Sequence, residues 1–149
     1  MIKYMKEARG KYKKGRACPG GKPTANHPER KEETFMTIRN AQEILECQVV
    51  CGQEHLDKEI HTACGSDMMS DVLAFVKDQS ILLTGLVNPQ VIRTADMMDM
   101  LCIVFVRGKQ PDQAMIDLAN QREIVLMTTG HRMFTACGLL WENGLRGGN

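Results

Sequence analysis

The sequence predicts a three-layer α/β domain in which flanking helices cover a mainly parallel sheet of about four to five strands. Three short apolar runs carry this prediction, and each ends in a glycine: SILLTG (80–85), CIVFVRG (102–108) and IVLMTTG (124–130). The glycines lie 23 and 22 residues apart, and each is followed by a helix-start signal with apolar residues at helical spacing. This is the period of strand, loop and helix in a parallel sheet.

The segments before these runs predict further elements. A helix is expected over about 38–46, because the threonine before it can cap the first turn. The segment CQVVC (47–51) is typical of a short strand, and EIHTAC (59–64) alternates in polarity as a second strand does. Ser66 or Asp67 then caps a helix that leads to the first apolar run.

Each later helix has a recognisable start. Asn88 caps one, and the proline after it loses no hydrogen bond in the first turn. Asp112 opens the next helix, and the last one follows Gly130 and stops at Gly144. Five side chains of this last helix are expected in the core: Met133, Phe134, Cys137, Leu140 and Trp141.

The composition indicates one globular domain that does not cross a membrane. Hydrophobic residues make up 43% of the 149 positions and charged residues 25%. No apolar run approaches the roughly 20 residues that span a bilayer. Six cysteines without a secretion signal predict reduced thiols and a cytoplasmic location.

We expect three regions: a basic segment at 1–35, the α/β domain at 36–144 and a frayed C-terminus at 145–149. The first segment holds ten lysines and arginines against four glutamates, and its glycines and prolines predict a disordered tail. Alternatively, translation starts at Met36, because Lys-Glu-Glu at 31–33 can be encoded with a bacterial ribosome-binding sequence. Nucleic-acid binding is disfavoured, since no aromatic-interleaved pattern or folded module accompanies the basic residues.

The sequence predicts no enzyme active site, no cofactor and no metal. The motifs GxxxxGK[ST], GxGxxG, GxSxG and HExxH are all absent. Five potential zinc ligands lack the spacing of a zinc knuckle: Cys47, Cys51, His55, His61 and Cys64. In an extended strand the first two thiols would be about 13 Å apart, too far to share one ion.

Polar residues at the predicted strand ends form a candidate ligand site. The carboxyl ends of parallel strands share one edge of a sheet, and helix N-termini at that edge favour anions. Arg107 and Lys109 add paired positive charge to an otherwise acidic domain. We expect an anion or nucleotide-phosphate site, although the same residues could only cap helices and turns: Thr84, Asn88, Arg107, Lys109, Thr128, Thr129 and His131.

In order and spacing, five segments over about residues 36–144 resemble the DRTGG domain family: MTIRNAQEILECQVVCG, DMMSDVLAF, SILLTG, CIVFVRGKQPD and REIVLMTTGHRMFTACGLL. That family is a small α/β domain, similar to the N-terminal domain of HPr kinase/phosphorylase and also found in some phosphotransacetylases and regulatory pyrophosphatases. The resemblance implies a stand-alone regulatory or assembly module, often dimeric. Where the family has an Asp-Arg pair, this chain has Leu-Val-Asn at 86–88.

Three functions are compatible with these observations. The first is a non-catalytic homodimeric module that senses a nucleotide or another phosphorylated metabolite. The second is an interaction subunit that has an unidentified protein partner and no small-molecule ligand. The third, a small phosphate-ester enzyme, is disfavoured because no nucleophile–base pair is visible in the sequence.

Overall fold

A computed structural model describes residues 36–76 and 79–148, and it consists of seven strands and five helices in those ranges. The strands are β1 (Met36–Thr37), β2 (Gln48–Cys51), β3 (Glu59–Ile60), β4 (Thr62–Gly65), β5 (Ser80–Thr84), β6 (Cys102–Phe105) and β7 (Val125–Thr128). The helices are α1 (Ile38–Ile44), α2 (Met69–Phe75), α3 (Pro89–Met97), α4 (Gln113–Gln121) and α5 (Met133–Glu142), and a 3₁₀ turn covers Gln53–His55.

The main sheet has five strands in the order β2-β7-β6-β5-β4. Strands β4 to β7 are parallel, and β2 pairs antiparallel with β7 at one edge. The predicted α/β class and its mainly parallel sheet are therefore confirmed. The predicted strand at 59–64 is divided, because β3 pairs with β1 in a separate two-stranded sheet while β4 joins the main one.

Helices cover both faces of the sheet. Side chains of α2, α3 and α4 pack on one face, and those of α1 and α5 pack on the other. Along β6, Cys102 and Val104 belong to the α1–α5 side, whereas Ile103 and Phe105 belong to the opposite side. All four are fully buried, which explains why the central strands read as continuous apolar runs instead of alternating ones.

The caps of the helices differ in a way that bears on the site. The Asn88 side chain accepts from the backbone N–H of Gln90 at 2.8 Å and starts α3, and Asp112 accepts from Met115 at 2.9 Å and starts α4. Both caps agree with the sequence prediction. Helix α5 starts after Arg132 with no side-chain cap, so its first backbone N–H groups keep no side-chain acceptor.

The orientation of α5 corrects the predicted core. Ala136 and Leu140, four residues apart, are the side chains that α5 buries. Phe134 is 91% exposed and Trp141 58% exposed, although both were expected inside. The helix is apolar on almost every side, so its hydrophobic pattern did not select the face that packs on the sheet.

The C-terminus also differs from the frayed end that was expected. Leu145 is buried, and the backbone N–H of Ala63 in β4 donates to the carbonyl of Arg146 at 2.9 Å. Gly144 turns the chain with φ +100°, a conformation that favours glycine. Residues 145–148 therefore lie along the edge of β4, while the predicted tail at 1–35 lies outside the described residues.

Among residues 36–76 and 79–148, no helix combines the length and the apolar character that a bilayer crossing requires.

Alkaline pH is expected to destabilise the fold through a buried thiol. Burial raises the pKa of Cys47 to about 12, so the folded state keeps this proton in a range where the unfolded state releases it. The free energy of unfolding should therefore fall above about pH 9, by up to about 1.4 kcal/mol per pH unit. Urea unfolding measured across this range should show a steeper decline for the wild type than for Cys47→Ala; parallel curves would contradict the assignment.

Candidate functional site

An open cleft of about 600 Å³ lies at the carboxyl ends of β4 and β6, beside the start of α5. This is the edge of a parallel sheet at which ligands bind in open α/β folds. The loop after β4, the turn after β6 and the first turn of α5 supply its lining: Gly65, Ser66, Asp67, Val106, Arg107, Arg132, Met133 and Phe134.

The turn after β6 holds Arg107 in a left-handed conformation. Arg107 has φ +63° and Gly108 has φ +67°, and the backbone N–H of Lys109 reaches the carbonyl of Val106 at 3.4 Å. Glycine adopts this left-handed conformation readily, whereas for a residue with a Cβ it is less favourable by roughly 1–2 kcal/mol of conformational energy. A strained backbone thus presents the Arg107 side chain to the cleft.

The Arg107 guanidinium lies over Gly85, at the end of β5. A Cβ placed on Gly85 would overlap the guanidinium, so only glycine leaves room for this position. The Nη2 of Arg107 is 3.9 Å from Oδ2 of Asp67, and both side chains are about half exposed. Such a long, solvated ion pair contributes little, so the guanidinium remains available to an anion.

Asp67 ties the loop after β4 to the end of β5. Its Oδ1 accepts from the backbone N–H of Gly85 at 2.6 Å and from the hydroxyl of Thr84 at 3.1 Å. The sequence marked Asp67 only as an alternative helix cap, but α2 starts without a side-chain cap. Its position two residues after the end of β4 was the available signal for a role at this edge.

Lys109 holds the same loop from the other side. Its Nζ donates to the carbonyl of Gly85 at 2.6 Å, so the peptide groups of Gly85 are fixed by Asp67 through N–H and by Lys109 through C=O. Of the two cations predicted from the sequence, Arg107 lines the cleft and Lys109 does not.

The other predicted site residues form the frame around this arrangement. The Thr128 hydroxyl donates to the carbonyl of Lys109 at 2.8 Å, and that of Thr129 donates to the carbonyl of Leu45 at 2.7 Å. The carbonyl of His131 accepts from the Arg107 N–H at 2.8 Å and so fixes the strained turn. Asn88 stays at its cap on α3, away from the cleft lining.

Besides Asp67, the sequence reasoning missed two lining residues that bear on ligand binding, Arg132 and Phe134. Arg132 precedes α5 and adds a second guanidinium beside the uncapped N–H groups of the helix. Phe134 stands exposed at the cleft rim, whereas its apolar character placed it in the predicted core. The exposure of Phe134 depends on the rotation of α5, which the sequence pattern did not determine.

The cleft offers groups that bind anions, without a nucleophile paired to a base among its lining. Two guanidinium groups face a single carboxylate, that of Asp67. The hydroxyl in the lining, on Ser66, is engaged with the backbone of Met68, as donor to its carbonyl and acceptor from its N–H. This electrostatic balance favours a negatively charged ligand.

Among the comparisons with known proteins, the search of solved structures gives a match. No protein-family model and no curated protein sequence matches the chain. It is similar to the solved CBS and DRTGG domains of the regulatory region of Clostridium perfringens pyrophosphatase, complexed with the activator diadenosine tetraphosphate. The TM-score is 0.59 at 19% identity, and the match covers 70% of this chain and 45% of that one. The chain therefore shares an α/β fold with that regulatory region and spans less than half of its length.

Proposed function

We propose that this chain is a non-catalytic regulatory module that senses a nucleotide or another phosphorylated metabolite. The observation that carries the proposal is the meeting of Arg107, Arg132 and the uncapped start of α5 at one open cleft. Guanidinium groups recognise phosphate oxygens in a bidentate manner, and helix N–H groups complete such sites.

The size and rim of the cleft support a nucleotide as the ligand class. A volume of about 600 Å³ lies within the range of small-molecule sites. The exposed ring of Phe134 provides a flat apolar face on which a base can stack while the phosphates reach the arginines.

Two likenesses favour regulation over catalysis. The fold neighbour is a regulatory region complexed with a nucleotide activator, and the segment order resembles a family of regulatory modules. The chain lacks that family's Asp-Arg pair at 86–88, so the proposed ligand contacts come from the turn after β6 and from α5. The free thiols of the described cysteines support a cytoplasmic location.

A protein-interaction subunit is the second candidate function. Large apolar side chains outside the cleft lining are exposed on and beside α2 and α3: Met68, Leu73, Phe75 and Met97. Isolated exposed apolar residues are ordinary, but several on neighbouring helices are typical of a protein-binding surface. This candidate predicts no response to any anion.

Calorimetry and thermal unfolding with ATP, diadenosine tetraphosphate and inorganic phosphate test the proposal. We expect at least one nucleotide to raise the unfolding midpoint by mass action. Arg107→Ala and Arg132→Ala should each weaken its binding about tenfold or more, as loss of a charge-assisted hydrogen bond does. Arg122→Ala is the matched control, because this arginine pairs with Asp96 at 3.4 Å outside the cleft lining.

The control separates the proposal from its competitors. No midpoint shift with any of the three probes would overturn the sensor and favour the interaction subunit. An equal loss in Arg122→Ala would assign the binding to overall charge instead of to the cleft.

A further inference from the structure

We infer that the backbone of Gly65 recognises the base of the bound nucleotide and selects a 6-aminopurine over a 6-oxopurine. This inference rests on the nucleotide-sensing function proposed above and adds to it the residue that determines which base is bound. Gly65 ends β4, lines the cleft and is exposed. Two features of the structure carry the inference: the direction of its backbone groups and the position of Phe134 beside it.

The N–H and C=O groups of Gly65 point outward from the main sheet. The N–H of Ser66 donates inward, to the carbonyl of Leu83 in β5 at 3.1 Å. The N–H of Ala63 donates outward, to the carbonyl of Arg146 at 2.9 Å. Because the backbone groups of successive residues alternate in direction along a strand, both groups of Gly65 share the outward direction of Ala63.

Neither of these two groups has a hydrogen-bonding partner within residues 36–76 and 79–148. The segment at 145–148 pairs with Thr62 and Ala63 and leaves Gly65 uncovered. An edge residue of this kind offers one donor and one acceptor side by side, as it would to the residue opposite in an antiparallel strand. A flat ligand edge that carries an acceptor next to a donor therefore satisfies both groups.

Phe134 lies on the side of α5 that faces this edge. The sulfur atoms of Met133 and Cys137, one turn apart, lie so near Gly65 that a Cβ placed on it would be 3.2 and 2.7 Å from them. Phe134 is about 60° from Cys137 around the helix axis, and its ring is exposed. The ring and the free backbone groups thus border the same part of the cleft, as a base that stacks and is recognised at its edge requires.

Adenine matches the two groups of Gly65, and guanine does not. Adenine presents its N7 acceptor beside the N6 amino donor, whereas guanine presents two acceptors, N7 and O6. The Gly65 N–H donates to N7 of either base, but only adenine donates from N6 to the Gly65 carbonyl. A 6-oxopurine places O6 against that carbonyl, and both acceptors are left without a donor.

Calorimetric titration of the full chain with ATP, inosine triphosphate and inorganic tripolyphosphate tests the inference. The two nucleotides differ only at C6 of the purine, where inosine triphosphate has an oxo group in place of the amino group. ATP should bind about tenfold more tightly or better, because the oxo group loses one hydrogen bond and leaves a carbonyl unpaired. Tripolyphosphate lacks a base and measures the phosphate part of the site alone.

Nuclear magnetic resonance gives a readout at Gly65 itself. ATP should shift the amide proton of Gly65 downfield and protect it from exchange with solvent, because this N–H gains an acceptor. Tripolyphosphate should do neither. The amide of Ala63 is the matched control in the same strand, since it already donates to the carbonyl of Arg146 and should keep its shift.

A variant of the stacking ring tests the second feature. Phe134→Ala should weaken ATP binding about fivefold or more, as loss of a base–aromatic contact does, and leave tripolyphosphate binding unchanged. Phe75→Ala is the matched control, because its ring is 75% exposed on α2 and does not line the cleft. Its loss should change the affinity for neither ligand.

The outcomes separate this inference from the proposed function. Equal affinities for ATP and inosine triphosphate, or ATP binding without a change at the Gly65 amide, would overturn the recognition of the base and leave the phosphate site standing. A chain that binds neither ATP nor tripolyphosphate would overturn the proposed function and this inference with it.

Discussion

Arg107→Gly is expected to raise the midpoint of thermal unfolding and to weaken nucleotide binding in the same molecule. Arg107 has φ +63°, a region that glycine adopts without steric penalty. Relief of the strain, less the added freedom of glycine in the unfolded chain, should stabilise the fold by up to about 1 kcal/mol. Loss of the guanidinium should weaken binding at least about tenfold. Differential scanning calorimetry and titration calorimetry measure the two effects.

Two further variants separate the backbone from the side chain. Arg107→Ala removes the guanidinium and keeps a Cβ in the left-handed turn, so it should weaken binding without the gain in stability. Gly85→Ala keeps Arg107 and displaces its guanidinium, which is the end of a flexible side chain and moves at little cost. It should therefore weaken binding with little effect on the midpoint. If Arg107→Gly unfolds at no higher temperature than Arg107→Ala, the turn stores no strain.

Asp67→Ala is expected to lower the free energy of unfolding by about 1–3 kcal/mol, because Gly85 N–H and the Thr84 hydroxyl lose their shared acceptor. Thr84 and Gly85 are buried whereas the Asp67 side chain is half exposed, so water entering from the cleft should offset only part of this loss. The loop between β5 and α3 should then lose protection in amide hydrogen exchange, and this local effect distinguishes the contact from a general loss of stability.

Asp67→Asn should behave differently, because the amide oxygen can still accept from Gly85 while the negative charge is gone. Stability should stay close to that of the wild type. In the wild type an anion competes for the Arg107 guanidinium with the Asp67 carboxylate, whose Oδ2 is 3.9 Å from Nη2. Without this competing charge, the affinity of the protein for the anion should rise up to about fivefold. Weaker binding to Asp67→Asn than to the wild type would show that Asp67 itself contacts the ligand.

The sheet could be predicted from the sequence because burial on both faces removes ambiguity. A strand over 80–84 was expected, and β5 spans Ser80–Thr84 with all five residues buried. Side-chain caps likewise identified the starts of α3 and α4. The buried side of α5 could not be predicted because almost every side of the helix is apolar, so Phe134 was placed in the core although it is exposed.

The site was harder to predict because it depends on which loops meet. Arg107 and Lys109 are equivalent cations in the sequence, but the left-handed turn directs the first to the cleft, and the second bonds the carbonyl of Gly85. Asp67 acquires its role only because β4 ends beside β5. Whether the predicted site residues bind a ligand stays a prediction.

The two edge strands of the main sheet, β2 and β4, are hindered from pairing with a strand of another molecule. At one end, β2 shifts register between Val49 and Cys51, and such a bulge spoils the straight row of backbone groups that another strand would need. At the other edge, the outward N–H of Ala63 in β4 already donates a hydrogen bond to the carbonyl of Arg146. An open edge on a parallel sheet is a template for aggregation. Residues 145–148 therefore hinder edge-to-edge pairing of the main sheet with a strand of another molecule.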